Sequence, residues 1–271
     1  MKLSIISFNT FAAPFFAHKI IRSMFRTRVK ERLQIVAENL KKENPDVILL
    51  QELFTYLNLQ FVKKLLPDYA LFYRPFIYGP RGGLVVFSKL PIRTIQYIDF
   101  EEKGSLWNKS LTGPITKKGM LVAYCQSLPL TIINTHLTQN SDHDWSDNNR
   151  YTKILIKQLH QITQEIKKIK NTNVILAGDF NMPKTTHLYS DFLHITKLTD
   201  PFSHYQDSTY HTDMIPFYTP KRREDYIFFQ GDGLKCIQTS ELFREKFLLA
   251  DGTRAYLSDH IALKAQFELS A

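Results

Sequence analysis

Two cysteines in 271 residues, Cys125 and Cys236, are too few for a disulfide framework or a thiolate zinc cluster. Free, buried thiols are the expectation for both. No apolar run approaches the ~20 residues that span a bilayer. The opening "MKLSIISFNT" reads as a strand without a small-residue cleavage pattern, so no leader is expected. Internal repeats, low-complexity tracts and Ser/Gly linkers are missing, and a single domain over residues 1–271 is expected. No HExxH helix, GxxxxGK[ST] loop or GxSxG elbow occurs, which removes the zinc, nucleotide-phosphate and serine-nucleophile chemistries those motifs carry. Acidic residues are the minority, 26 against 35 Lys and Arg, and the net charge of +9 favours an anionic partner. Nucleic acid and an acidic membrane surface both qualify.

What is present is a series of short apolar runs alternating with amphipathic ones. "LSIISF" (3–8), "DVILLQE" (46–52), "GLVVFS" (83–88), "MLVAYCQS" (120–127), "LTIINTH" (130–136), "NVILAGD" (173–179), "DYIFF" (225–229), "LKCIQ" (234–238) and "HIALKAQFEL" (260–269) read as strands. Residues 28–42 and 150–170 read as helices. Val29, Leu33, Val36, Ala37 and Leu40 share one face of the first, and Ile154, Leu155, Leu159, Ile162 and Ile166 one face of the second. Strand–helix alternation early and strand pairs later predict a mixed α/β fold. Near-continuous apolar strands predict sheets buried on both faces, hence a two-sheet sandwich with helices outside.

Strand after strand then ends in a polar residue suited to catalysis: Asn9, Glu52, Asn134 with His136, Asp179 with Asn181, Asp225, and Asp259 with His260. Alternation puts Asn134 with His136, and Asp179 with Asn181, on one side of an extended segment. If the strands lie side by side, their ends form one polar floor. Carboxylate and amide oxygens suit a hard cation such as Mg²⁺, with Mn²⁺ as a substitute. Two histidines add groups that exchange protons near neutral pH. Together they fit hydrolysis of a phosphate ester.

The ordered set "SFNT", "QELF", "GGLVVFSKLPI", "NTHL", "GDFNMP", "REDYIFF" and "SDHIAL" spans residues 7 to 262 and resembles the endonuclease/exonuclease/phosphatase superfamily. The resemblance implies a four-layer α/β sandwich of two mixed sheets flanked by helices, and a divalent metal. It implies that Glu52 is the principal metal ligand, with Asn9 beside it and Asp259 helping. His260 would be the general base and Asp225 the acid that orients it. Asp179 would position the attacking water or the leaving group. Asn181 and His136 would bind the phosphate, His136 by donating to a phosphate oxygen. Asn134 is read as structural support.

Local wording is most similar to the neutral sphingomyelinase branch: "QELF" before a helix-like run, "GGLVVFSKLPI", and "TKKGMLVA" with Lys118-Gly119 at the start of a strand. A metal-dependent phosphoric diester hydrolase of lipid metabolism is expected, releasing phosphocholine from sphingomyelin. The alternatives are a deoxyribonuclease-like nuclease acting on DNA, then an inositol phosphate phosphatase or a non-catalytic binder. One departure stands out: Glu224 occupies an apolar position of the relatives' Arg-Ile-Asp-Tyr. Alternation would turn it to solvent; turned inward, it would add negative charge to the site and put the phosphate position in doubt. Segments 11–28, aromatic and basic, and 203–223, rich in Tyr, His and Pro, are candidates for lipid contact and for a substrate-side loop. "SDHDWSDNNR" (141–150) is read as a solvated loop capping the next helix through Asp147 or Asn148, with a second cation as the alternative. The expected setting is the cytoplasm, or export without a conventional leader, with peripheral membrane contact.

Overall fold

Apolar strands interleaved with amphipathic helices can bury both faces of a sheet only by stacking in layers. The computed structural model, described over residues 1–12, 28–104, 116–170, 173–212 and 221–270, has four such layers. Along the chain come β1 (Lys2–Asn9), α1 (Val29–Glu43), β2 (Val47–Gln51), α2 (Tyr56–Leu65), β3 (Ala70–Phe72), β4 (Val85–Ser88), β5 (Ile92–Asp99), β6 (Gly119–Cys125) and β7 (Leu130–His136). There follow α3 (Arg150–Lys168), β8 (Asn173–Asp179), α4 (His187–Thr196), β9 (Asp225–Gln230), β10 (Leu234–Leu242), β11 (Phe247–Leu248), β12 (Arg254–Ala255) and β13 (Ala262–Leu269).

One sheet has the order β10-β13-β1-β2-β4-β3 and the other β5-β6-β7-β8-β9, with β11 and β12 as a separate pair. Each large sheet contains one parallel pair, β1/β2 joined through α1 and β7/β8 joined through α3; the remaining pairs are antiparallel. Leu3, Ile5, Val47, Leu49 and Val86 of the first sheet meet Leu121, Ile132, Ile175, Ala177 and Ile227 of the second. On the outer faces, Leu33, Val36, Ala37 and Leu40 of α1 cover the first sheet, and Leu155, Leu159, Ile162 and Ile166 of α3 cover the second. The expected sandwich and both helical faces are present.

This topology decides where the polar strand ends go. Parallel partners finish at the same edge, so Asn9 pairs in register with Gln51, and His136 with Asp179. Antiparallel neighbours begin at that edge, so Asp225 starts β9 opposite Asp179. His260 lies just before β13, which runs antiparallel to β1.

Several local expectations are corrected. The cap of α3 is Asn149, whose side chain accepts from the backbone N–H of Tyr151 and Thr152; Asp147 instead pairs with His187. β4 starts at Val85 because Gly82 and Gly83, at φ 66° and 69°, form a tight 3₁₀ turn first. The cysteines are free, Cys125 buried and Cys236 half-buried on a strand at the sheet edge. Asp142 pairs with Arg150 and Asp144 with Ser146, so the 141–150 loop spends these carboxylates on its own structure. Of the two segments proposed to touch substrate or lipid, residues 13–27 and 213–220 lie outside the described residues.

Candidate active site

Asp179 is the hub of the strand-end edge. Its Oδ2 accepts from Asn9 Nδ2 at 3.0 Å and lies 3.3 Å from His136 Nε2 and 3.7 Å from His260 Nε2. Its Oδ1 accepts the Asn181 backbone N–H at 2.9 Å. Burial alone would raise its pKa, but His136, His260 and Lys118 outweigh that and hold it low. Gly178 makes the hub fit: at φ 146°, a Cβ there would meet the Thr135 carbonyl oxygen at 1.9 Å.

The structure brings the predicted residues together, although not always by the predicted route. β2 ends at Gln51, and strand alternation would send Glu52 to the outer face. A left-handed backbone at Glu52 (φ 60°) turns the carboxylate back, so that Oε1 accepts from Asn9 Nδ2 at 3.3 Å. Asn181 likewise leaves the strand at φ 49°. Its Nδ2 donates to the Leu137 carbonyl at 3.1 Å, so the turn, not alternation, aims it. Asn134 does follow alternation, inward. It donates to the Leu50 and Val85 carbonyls of the opposite sheet and accepts from Gln51 Nε2 at 2.7 Å, which makes it a cross-sheet tie.

His260 Nδ1 is 2.9 Å from Asp225 Oδ2, and the Asp225 backbone N–H donates to Thr209 Oγ1. Burial opposes the charged imidazolium, but Asp225, Asp259 and Asp179 together raise its pKa well above 6.5. Asp225 itself is pushed up to about 6 by burial, against the pull of His260. Ser258 Oγ fixes the segment: it donates to the Asn9 carbonyl and receives the His260 backbone N–H. Asp259 is half-buried. Its charge raises both Glu52 and His260, and its Oδ1 accepts from Ser258 Oγ at 3.2 Å.

Three residues escaped the sequence reading as site members. Lys118 is buried, with Nζ 2.8 Å from His136 Nε2 and donating to the Leu137 carbonyl. Only its place in the "KKGM" motif hinted at this. Arg32 interrupts the apolar face of α1 and is buried beneath the site, donating to the carbonyls of Thr10, Phe11 and Leu257. Glu224 takes the inward of its two orientations, mostly buried against Arg222 at 3.4 Å, and its pKa rises to about 7 through burial. Its backbone carbonyl accepts from Phe180, which holds this segment beside the Asp179 turn. Arg222 also stacks over Trp145, whose Nε1 donates to the Asn181 carbonyl, so this side of the floor has a packed wall.

The donor set suits a hard cation. Burial, then Asp259, pushes Glu52 up to about 7, with Asp179 adding to the repulsion and Lys118 and His260 relieving part of it. Clustered oxygen donors whose charges repel in a low dielectric are relieved by a divalent cation, and no thiolate competes. Glu52 and Asp259 are carboxylates that could hold it. The Asn9 side-chain oxygen already accepts from the Phe11 N–H, so in this structure Asn9 orients Glu52 as a donor. Asp179, Asp225 and His260 also offer ligand atoms within 4.8 Å of one another. There the His260 Nδ1–Asp225 hydrogen bond occupies one of them, which fits a proton-handling pair better than an ion cage.

The model of the Endonuclease/Exonuclease/phosphatase family matches residues 7–260. The chain belongs to this family. As a family member it is a metal-dependent phosphodiesterase, and its two mixed sheets flanked by helices are the family's fold. No curated protein matches it in sequence. Solved structures that share the fold include D. rerio TDP2 complexed with single strand DNA product, at 19% identity and TM-score 0.73, covering 98% of this chain and 99% of that one. Beta toxin from Staphylococcus aureus matches at 18% identity and TM-score 0.74, over 97% and 99% of the two chains. Sphingomyelinase C from Streptomyces griseocarneus matches at 20% and 0.69, over 98% and 99%.

Proposed function

We propose that this member of the family is a Mg²⁺-dependent phosphodiesterase that hydrolyses a phospholipid phosphodiester of the sphingomyelin type, releasing phosphocholine. Mn²⁺ would substitute for Mg²⁺. The observation that carries the chemistry is the Asp225–His260 pair, with Nε2 of His260 3.7 Å from Asp179. The choice of lipid is supported by the placement of Lys118. The Lys-Gly strand start that reads like the sphingomyelinase branch puts its ammonium against His136, inside the site.

In this reading Glu52 and Asp259 hold the cation, with Asn9 orienting Glu52. When bound, it polarises a phosphoryl oxygen and offsets the charge of the phosphate. Neutral His260 takes a proton from water at Nε2, and Asp225 stabilises the imidazolium that results. Asp179, fixed by Asn9 and by the Asn181 N–H, orients that water towards phosphorus. Beside Asp179, the Lys118 ammonium supplies N–H where negative charge builds, His136 accepts from it at Nε2 and so positions the lysine rather than donating to the phosphate, and Asn181 positions the phosphate. Burial, then Lys118, holds the His136 pKa down to about 3, so His136 acts as a neutral imidazole and Lys118 carries the charge.

A second reading, DNA as substrate, is supported by the net charge of +9 and by the likeness to a TDP2 that holds a DNA product. One assay separates the two: Mg²⁺ with sphingomyelin in detergent micelles, or with supercoiled plasmid, for the parent, Glu52→Gln and His260→Ala. Phosphocholine release lost in both variants supports the lipid reading. Plasmid nicking without lipid turnover replaces it with the nuclease reading. Parental activity in either variant removes the site assignment.

A further inference from the structure

Leu57, Ile77 and Tyr78 are 67%, 71% and 65% exposed, a large apolar surface for three neighbouring side chains of one loop and one helix start. The loop that carries Ile77 and Tyr78 joins the end of β3 to the start of β4. Since β2 and β4 pair as Leu50↔Val85 and β3 and β4 as Phe72↔Val86, this loop emerges at the same edge as Glu52. The Tyr56 N–H donates to the Tyr78 carbonyl at 3.0 Å. Tyr56 follows Glu52 by four residues, so their Cα atoms are at most about 14 Å apart. The apolar tip therefore stands beside the mouth of the site.

Its exposure is built in, because the backbone beneath it is tied down. Phe76 N–H donates to the Gly79 carbonyl, Arg81 N–H to the Arg74 carbonyl, and Tyr56 Oη to the Phe76 carbonyl. Gly79 is wedged so closely on Phe54 that a Cβ would lie 2.3 Å from its carbonyl oxygen. The Arg81 guanidinium packs 4.9 Å from the Phe76 ring centre and is held by both oxygens of Asp99. Residues 53–67 and 69–98 contain no acid, while Arg74 next to the tip is exposed and has no salt bridge among the described residues. An exposed apolar tip on a tied-down backbone with a cationic flank suits the interface of an anionic bilayer, where apolar side chains enter the acyl boundary and arginine meets phosphate.

We infer that Leu57, Ile77, Tyr78 and Arg74 form a lipid-contacting tip that seats the site mouth on an anionic phospholipid surface. This rests on the reading of the substrate as a phospholipid. The test is flotation of the full chain with phosphatidylcholine vesicles, with and without phosphatidylserine. The parent binds more strongly when phosphatidylserine is present. Leu57→Ser/Ile77→Ser/Tyr78→Ser binds both about tenfold more weakly, with unchanged melting temperature and unchanged Mg²⁺-dependent hydrolysis of the soluble diester bis(p-nitrophenyl) phosphate. Arg74→Gln loses only the phosphatidylserine increment.

Equal flotation of parent and triple variant overturns the inference, as does equal loss in Ile195→Ser/Leu248→Ser, whose exposed side chains lie elsewhere. A tip that instead mediates self-association or plasmid binding, with vesicles ignored, overturns it too. Flotation needs no turnover, so intact tip-dependent binding with no sphingomyelin cleavage refutes the substrate and spares the tip. Cleavage in detergent micelles with no tip-dependent binding does the reverse.

Discussion

Lys118 and His136 share one short hydrogen bond, 2.8 Å between Nζ and Nε2, in a buried setting flanked by the Asp179 and Glu52 carboxylates. Two cations cannot occupy that contact. Burial, offset in part by Asp179 and Glu52, brings Lys118 down to about 8, and the same burial with the Lys118 charge empties His136 of its second proton. Lys118→Met removes the charged donor. It is expected to lower kcat by about tenfold to a hundredfold, the scale of a hydrogen bond to a charged group. The pKa of His136, followed by NMR, should rise. An unchanged kcat would detach Lys118 from the chemistry.

The pH profile follows from the sign of the shift at His260. Its folded pKa lies above 6.5, so the imidazolium persists to higher pH and the neutral base is scarce in acid. Activity should therefore rise with pH along a limb above 6.5. Asp225→Asn removes a charge that raises His260, so the limb should move to lower pH while kcat falls by about a hundredfold. In the metal-free protein the same shift stabilises the fold below pH 6.5, and that contribution fades as pH rises through the folded value. A flat profile well below pH 6.5 would take the base role from His260.

Glu52 gives a stability signature of its own. With a pKa raised from 4.5 to about 7, its contribution is most favourable below pH 4.5 and is lost as pH climbs through about 7. At pH 8, metal-free Glu52→Gln should thus melt higher than the parent, with the gap closing in acid. Mg²⁺ at a hundred times Kd should stabilise the parent by about 2.7 kcal/mol and the variant by much less. Thermal melts across a Mg²⁺ titration read both effects.

Asn134→Ala removes three hydrogen bonds that cross between the sheets and strands the Leu50 and Val85 carbonyls. At roughly 1 kcal/mol each, the loss should be about 3 kcal/mol in urea unfolding. A change below about 0.5 kcal/mol would show that the Asn134 tie adds little to what holds the two sheets together.

The layers and most of the floor were legible because they rest on local patterns. Alternating apolar runs mark buried strands, and a polar residue where each run stops marks the shared edge. Glu52 was found from its place after "ILLQ", yet its aim came from a positive φ that no side-chain pattern encodes. Arg32 is not among the apolar positions that helical spacing picks out, and that spacing cannot see the carbonyls of Thr10, Phe11 and Leu257 waiting for it. For Glu224 alternation leaves the choice between solvent and site open, and its partner Arg222 decides it inward. α4 and β5 have weaker periodicity, and packing against neighbours decides them.

The catalytic edge takes Asn9 and Glu52 from one sheet and His136, Asp179 and Asp225 from the other. His260, just before β13, belongs with the first sheet, so the spacing between Glu52 and His260 on one side and Asp179 and Asp225 on the other is gauged by side chains with no reactivity at all, Leu49 and Ala177 among them. A single methylene added to that seam would act as a shim, opening the working gap from a distance while leaving every reactive group chemically intact.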